Sequence, residues 1–267
     1  MPRTTTSPSG DGHTATDQRP GARAWQSVLT TIEGRLLTGE LAPGDHLPPE
    51  RTLAAELAVG RSSVREALRV LEALGLIRTA TGSGPSAGAI IVAAPRGGMS
   101  ALLRLQVAAQ GFPVHDIVHT RLLLETGIVE ELARTTPRPA LASCRSLLTA
   151  MSDQALPSGD FLALDTRFHV ALAEATHNTV VTAMMAGLRE SIESYVFAGS
   201  AALPDWGRTA ARLRCEHQAV IDAIEQGESA KARTRIRDHI TGYYAEISAP
   251  SAAAATDEGP RPPAPAR

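Results

Sequence analysis

The chain has 267 residues, 43% of them hydrophobic and 3% aromatic, with a formal net charge of −2. That length allows two small domains or one large one around an aliphatic core, and the near-neutral sum excludes binding to nucleic acid or membrane by bulk charge while allowing a local basic face. Two cysteines, Cys144 and Cys215, are too few for a disulfide framework and fit reduced thiols. No apolar run approaches the roughly 20 residues of a membrane helix. The Thr/Ser/Gly/Asp-rich start lacks the apolar stretch of a secretory leader. A soluble cytoplasmic protein is the expectation.

Taken in order, residues 1–22 and 249–267 are poor in apolar side chains and rich in Pro, Gly and small residues, so both are expected to be disordered tails. Residues 23–95 and 96–248 are expected to be two domains. Over 24–38, Val28, Leu29, Ile32, Leu36 and Leu37 recur at helical spacing, and Leu41–Asp45 is turn chemistry that ends the helix. Two short amphipathic helices follow. The first has Pro49 in its opening turn and Leu53, Ala54 and Leu57 on one face. Gly60 breaks the pattern, and Val64, Ala67, Leu68, Leu71 and Leu74 form the apolar face of the second. Ser63 with Glu66 reads as a capping box at its start.

The remaining faces carry Arg61, Ser62, Arg65 and Arg69. Arginine can fork onto guanine or a phosphate, and serine can donate to a phosphate oxygen. A helix-turn-helix is one reading of this pair; two packed helices with solvated arginines is the other. Two short strands, 78–80 and 89–92, then flank a Gly/Ser/Pro loop from Thr81 to Gly88.

Beyond the linker Pro95–Gly98 the spacing predicts seven helices near 99–110, 114–135, 138–153, 159–176, 179–199, 205–226 and 229–247. Short turns between helices make an antiparallel bundle. Within it Asp165 and His169 are four apart and share a helical face beside Phe161, Leu164, Phe168 and Leu172. Later helices bring His217 and His239 next to apolar positions. One aspartate and three histidines from three helices suit a first-row divalent metal; satisfied core histidines are the alternative. Arg121 and Glu125, also one turn apart, make an intrahelical ion pair on spacing alone.

The run Gly39, Leu41, Pro43, Gly44, Leu47, Pro48, Glu50, Arg51, Leu53, Ala54, Leu57, Val59, Arg61, Val64, Arg65, Ala67, Leu68, Leu71, Gly75 and Leu76 resembles the GntR family of bacterial transcription regulators. That resemblance implies a mainly α protein: an N-terminal winged helix-turn-helix (three helices plus a small β-wing), then an all-α antiparallel bundle. It makes Arg51, Arg61, Ser62, Ser63 and Arg65 the operator contacts, with Thr81 and Gly82 at the wing. The wing loop is longer than the family's usual compact form and lacks a basic residue at its tip.

The segment Asp160–Asn178, followed by His217 and His239, resembles the FCD ligand-binding domain of the FadR subgroup. The resemblance implies that Asp165, His169, His217 and His239 hold a divalent metal, with zinc the first expectation and nickel or another first-row ion the alternative. It further implies that Arg121 faces a small organic acid effector and that Asn178 caps a helix. His115, His119 and His177 match no ligand position. The expected protein is a homodimeric repressor on a short palindromic double-stranded DNA operator, with no membrane partner. The rival readings are a regulator whose effector is the ion itself and a metal-dependent hydrolase, although no H-E-x-x-H signature is present.

Overall fold

The computed structural model describes residues 20–80, 88–92 and 97–249. The chain divides into two compact units, Met1–Pro95 and Arg96–Arg267. In the first unit α1 (Pro20–Leu37), α2 (Glu50–Glu56) and α3 (Arg61–Ala73) are followed by β1 (Ile77–Ala80) and β2 (Gly88–Ile91). The two strands pair antiparallel, Ile77 opposite Ile91 and Ala80 opposite Gly88. The segment before α2 joins them: Leu47 N–H donates to Ala89 O at 2.8 Å and Ile91 N–H to Asp45 O at 2.9 Å. Val28, Ile32, Leu47, Leu53, Val64, Leu71 and Ile77 close the core. Leu37 and Leu74, expected on apolar faces, are exposed at or beside helix ends.

The capping box does not form. Gly60, with extended φ −69° and ψ 146°, is the N-cap of α3, and no side chain caps that end. The Gly60 carbonyl already accepts from Ser63 N–H at 3.0 Å and Val64 N–H at 3.2 Å. Ser63 therefore sits inside the first turn, too late to cap it. At the other end Gly75 takes φ +72°. Its N–H reaches Glu72 O and the Leu76 N–H reaches Leu71 O, each at 2.9 Å, a Schellman stop in which the left-handed residue favours glycine.

The second unit is entirely helical over its described residues. It runs α4 (Gly98–Ala108), α5 (Val114–Arg134), α6 (Ala142–Met151), α7 (Ser158–Glu174), α8 (Thr179–Ser191), α9 (Glu193–Ala201), α10 (Trp206–Glu225) and α11 (Ser229–Ser248). Eight helices stand where seven were expected, because the 179–199 stretch breaks at Ile192 (φ −116°, ψ 9°). No glycine or proline marks that break. The Ile192 side chain is buried at this break. The helix expected over 138–153 starts only at Ala142, since Pro137 and Pro139 lack N–H groups and bias the residues before them away from the helical region. Asn178 does cap: its Oδ1 accepts from the N–H groups of Val180 and Val181 at 3.1 Å.

In this bundle α5 lies along α11, α10 along α11, α7 between α6 and α8, and α4 against α8. The core is aliphatic, with Val129, Leu132, Leu172, Leu213, Val220, Ile221 and Ile236 all buried, and Phe168 among them. No helix among the described residues is long and apolar enough to cross a membrane. Phe168→Ala is expected to destabilise the second unit by about 3–5 kcal/mol through the cavity it leaves. Leu123→Ala, at a side chain left exposed, should stay within about 0.5 kcal/mol. Urea unfolding followed by circular dichroism measures both.

Candidate metal centre and nucleic-acid interface

Four buried side chains converge inside the bundle: Asp165 and His169 from α7, His217 from α10 and His239 from α11. Their ligand atoms all lie within 4.8 Å of one another. His239 Nε2 is 3.2 Å from His217 Nε2 and 3.3 Å from His169 Nε2. Asp165 Oδ1 is 3.1 Å from His217 Nε2 and 3.7 Å from His169 Nε2.

The other ring nitrogens explain this convergence. His169 Nδ1 is hydrogen-bonded to Glu125 Oε2, and His239 Nδ1 to Glu216 Oε2 at 2.8 Å. A carboxylate accepts only, so each of these Nδ1 atoms carries a proton and its ring turns Nε2 toward the centre. Burial, with His217 close by, lowers the His239 pKa to about 3. Burial also pushes His217 down, although Asp165 opposes it. Burial by itself would raise the Asp165 carboxyl, but Arg189, His169 and His217 overcome it and hold the group well below its ordinary range.

Burial thus favours the neutral imidazole at His217 and His239 and the ion pairs favour the ionised Asp165 carboxylate, the states in which these groups can ligate a metal. Without an ion, the His217 Nε2–H can donate to Asp165 Oδ1; a bound cation would take the place of that proton. With metal–nitrogen bonds of about 2.1 Å, neighbouring ligand nitrogens fall about 3.0–3.4 Å apart, which matches the spacing here. The residues present fit a divalent ion.

Arg121 lies behind the centre. Only 1% exposed, it donates through Nε and Nη2 to Glu125 Oε1, both at 2.8 Å, and through Nη1 to the Tyr244 hydroxyl at 2.9 Å. The ion pair read from spacing is thus real, and Glu125 joins it to His169. Arg189, which the sequence did not single out, donates from the last turn of α8 to Asp165 Oδ2 and to Thr166 Oγ1, the latter at 3.3 Å. A small cleft beside the centre is walled by Arg189, Thr166 and Tyr244, with Leu162 and Ile192 as its apolar side. Two buried side-chain atoms lack a hydrogen-bond partner among the described residues: His217 Nδ1 and the Tyr243 hydroxyl. Glu216 and Arg189 act across helices, as does Glu125 in its contact with His169, so no spacing within one helix could reveal those three contacts. His115, His119 and His177 are exposed.

On the first unit Arg51, Arg61, Ser62, Arg65 and Arg69 are exposed and Ser63 is partly so. Arg61, Arg65 and Arg69 follow one another at one-turn spacing along α3. Thr81 and Gly82, the expected wing contacts, lie outside the described residues.

A model described as "Bacterial regulatory proteins, gntR family" matches residues 25–85, and the FCD domain model matches residues 116–242. An Escherichia coli (strain K12) regulatory protein, whose name associates it with the L-lactate dehydrogenase operon, is 30% identical over 222 residues, covering 82% of this chain and 84% of its own length. The chain belongs to the GntR family and carries an FCD domain. Relatives of this GntR regulator include the HTH-type transcriptional regulator LutR of Bacillus subtilis (strain 168), 27% identical over 78% of this chain and 97% of its own length. They also include the Glc operon transcriptional activator of Escherichia coli (strain K12), 28% identical over 80% and 84%. Among solved structures, Streptococcus agalactiae GntR shares the fold with a TM-score of 0.54 at 24% identity, over 82% of this chain and 98% of that one. The chain is a DNA-binding transcriptional regulator of GntR/FCD type, and its relatives are regulators rather than enzymes.

The carboxylates behind the histidines give the site a specific sensitivity. Glu216→Ala removes the partner of His239 from a half-exposed position, so the fold should persist while metal affinity falls about 10- to 100-fold; competition against a chelating dye measures it. Glu125→Ala should also cost about 3–5 kcal/mol of stability, because it leaves the Arg121 guanidinium buried and unpaired.

Proposed function

We propose that this GntR regulator is a cytoplasmic homodimeric repressor whose operator affinity is set by a small carboxylate bound beside a divalent ion in the helical domain. The carrying observation is the buried convergence of three imidazole Nε2 atoms and one Asp165 oxygen. Asp165, His169, His217 and His239 would hold the ion, with zinc first and nickel or another first-row ion as the alternative. Such an ion supplies a Lewis-acidic anchor for a carboxylate oxygen.

The chain's own residues do the rest. Arg189 and Thr166 present donors at the cleft wall, Leu162 and Ile192 form its apolar side, and Glu193 adds one carboxylate to the lining. Arg121, the effector contact expected from the resemblance, reaches the cleft only through Tyr244, which lines it and accepts from Arg121 Nη1. For the ligand to regulate, it must bind the DNA-competent and DNA-incompetent forms with different affinity. Arg189 ties Asp165 to the end of α8, next to the break at Ile192, so a ligand there acts directly on that helix end.

At the operator, Arg51, Arg61, Ser62, Ser63 and Arg65 would line the reading face, with Thr81 and Gly82 at the wing. Two copies on a palindrome would place two α3 helices in the major groove. A gel shift on the DNA upstream of its own gene, with and without L-lactate, tests the proposal; that acid is the first probe because of the operon in a relative's name. Arg61→Ala should weaken operator binding by about 1–3 kcal/mol. His217→Ala should remove both the bound ion and any response to acid while leaving DNA binding in place. An acid response that survives metal stripping would overturn the metal-anchored reading, and release by metal alone would make the ion itself the effector.

A further inference from the structure

One contact on the reading face is unlike its neighbours. Arg65, in the middle of the arginine row of α3, is held by Glu50, the first residue of α2. Nε donates to Oε1 at 3.3 Å and Nη2 to Oε2 at 2.9 Å. Arg61 and Arg69, one turn to either side, pair with no carboxylate among the described residues. Arg65 is exposed and Glu50 partly so, with side chains 52% and 32% accessible, and such pairs contribute little to stability. Its consequence therefore lies in what the arginine can still do.

A guanidinium has five N–H donors in one plane. The Nε/Nη2 edge is spent on Glu50, and the Nη1/Nη2 end remains, two parallel donors on a plane that no longer rotates freely. That end matches the O6 and N7 acceptors of guanine in the major groove. The carboxylate also sits among Arg61, Arg65 and Arg69, all of which act on it, the Arg65 hydrogen bond most, and it stays ionised below the usual carboxylate range. A fixed negative charge beside Arg65 repels the phosphate backbone, which would otherwise engage any free arginine regardless of sequence.

We propose that Glu50 is a positioning residue for base readout: it commits Arg65 to one guanine per half-site and denies it to phosphate, leaving Arg61 and Arg69 to supply backbone affinity. This rests on the reading that α3 enters DNA.

The test is selection of binding sites from duplexes with a randomised core, followed by competition anisotropy, using wild type, Arg65→Ala, Glu50→Gln and Glu50→Asp. Wild type should enrich a guanine whose preference disappears in Arg65→Ala. Glu50→Gln should lower that preference about five-fold or more, while affinity for a mixed-sequence duplex rises about two- to ten-fold as the repelling charge is lost. Glu50→Asp keeps the charge but is too short to fork; it should lose the preference with mixed-sequence affinity unchanged. The proposal is overturned if both Glu50 variants keep the wild-type guanine preference, or if Glu50→Gln loses specific and mixed-sequence binding equally alongside a lower Tm. Failure of the underlying reading looks different: Arg65→Ala would then enrich the wild-type motif, removing Arg65 as a reader and this role of Glu50 with it.

Discussion

Everything in the helical domain turns on the direction in which three imidazoles point. A histidine in an apolar core can be satisfied through either nitrogen, and the choice decides whether it is an ordinary core residue or a ligand. Here Glu125 and Glu216 accept from the Nδ1 atoms of His169 and His239, so the Nε2 atoms turn inward toward Asp165 and His217. The neutral state that burial imposes on His217 and His239 is also the state that donates to a cation. Without the carboxylates behind them, the same rings in the same core would be free to rotate out of register.

The surrounding charges are balanced without an ion. Arg121 faces Glu125 and Arg189 faces Asp165, two guanidiniums against two carboxylates, all buried. Isolated, any one of them would be costly in this core. Paired, the four offset one another, so a divalent ion held beside them would bring positive charge that favours an anionic ligand nearby. Tyr244 and Arg189 stand at the cleft and at the ion-pair shell at once, so ligand binding and the bundle's internal electrostatics share the same side chains.

The sequence made some of this legible and hid the rest for physical reasons. Periodicity within a helix is local, so the α3 apolar face, the Asp165/His169 pair and the Arg121/Glu125 pair could be read from spacing. That His217 and His239 meet them depends on how α10 and α11 pack against α7 and α5, and the family resemblance, rather than their spacing, pointed there. Glu216 was invisible because its partner lies on another helix, and Arg189 because its target is on α7. The capping box failed for a different reason: Gly60, three residues before Ser63, supplies an extended residue that starts the helix earlier, which leaves Ser63 of the Ser-x-x-Glu pattern inside the first turn. The break at Ile192 carries no glycine or proline, so no residue type in the sequence announces it.

X-ray absorption at the K edge of the ion that co-purifies with the protein tests the central claim most directly. The account predicts a first shell of three imidazole nitrogens and a carboxylate oxygen at about 2.0–2.2 Å. A shell containing sulfur, or two imidazoles or fewer, would contradict it.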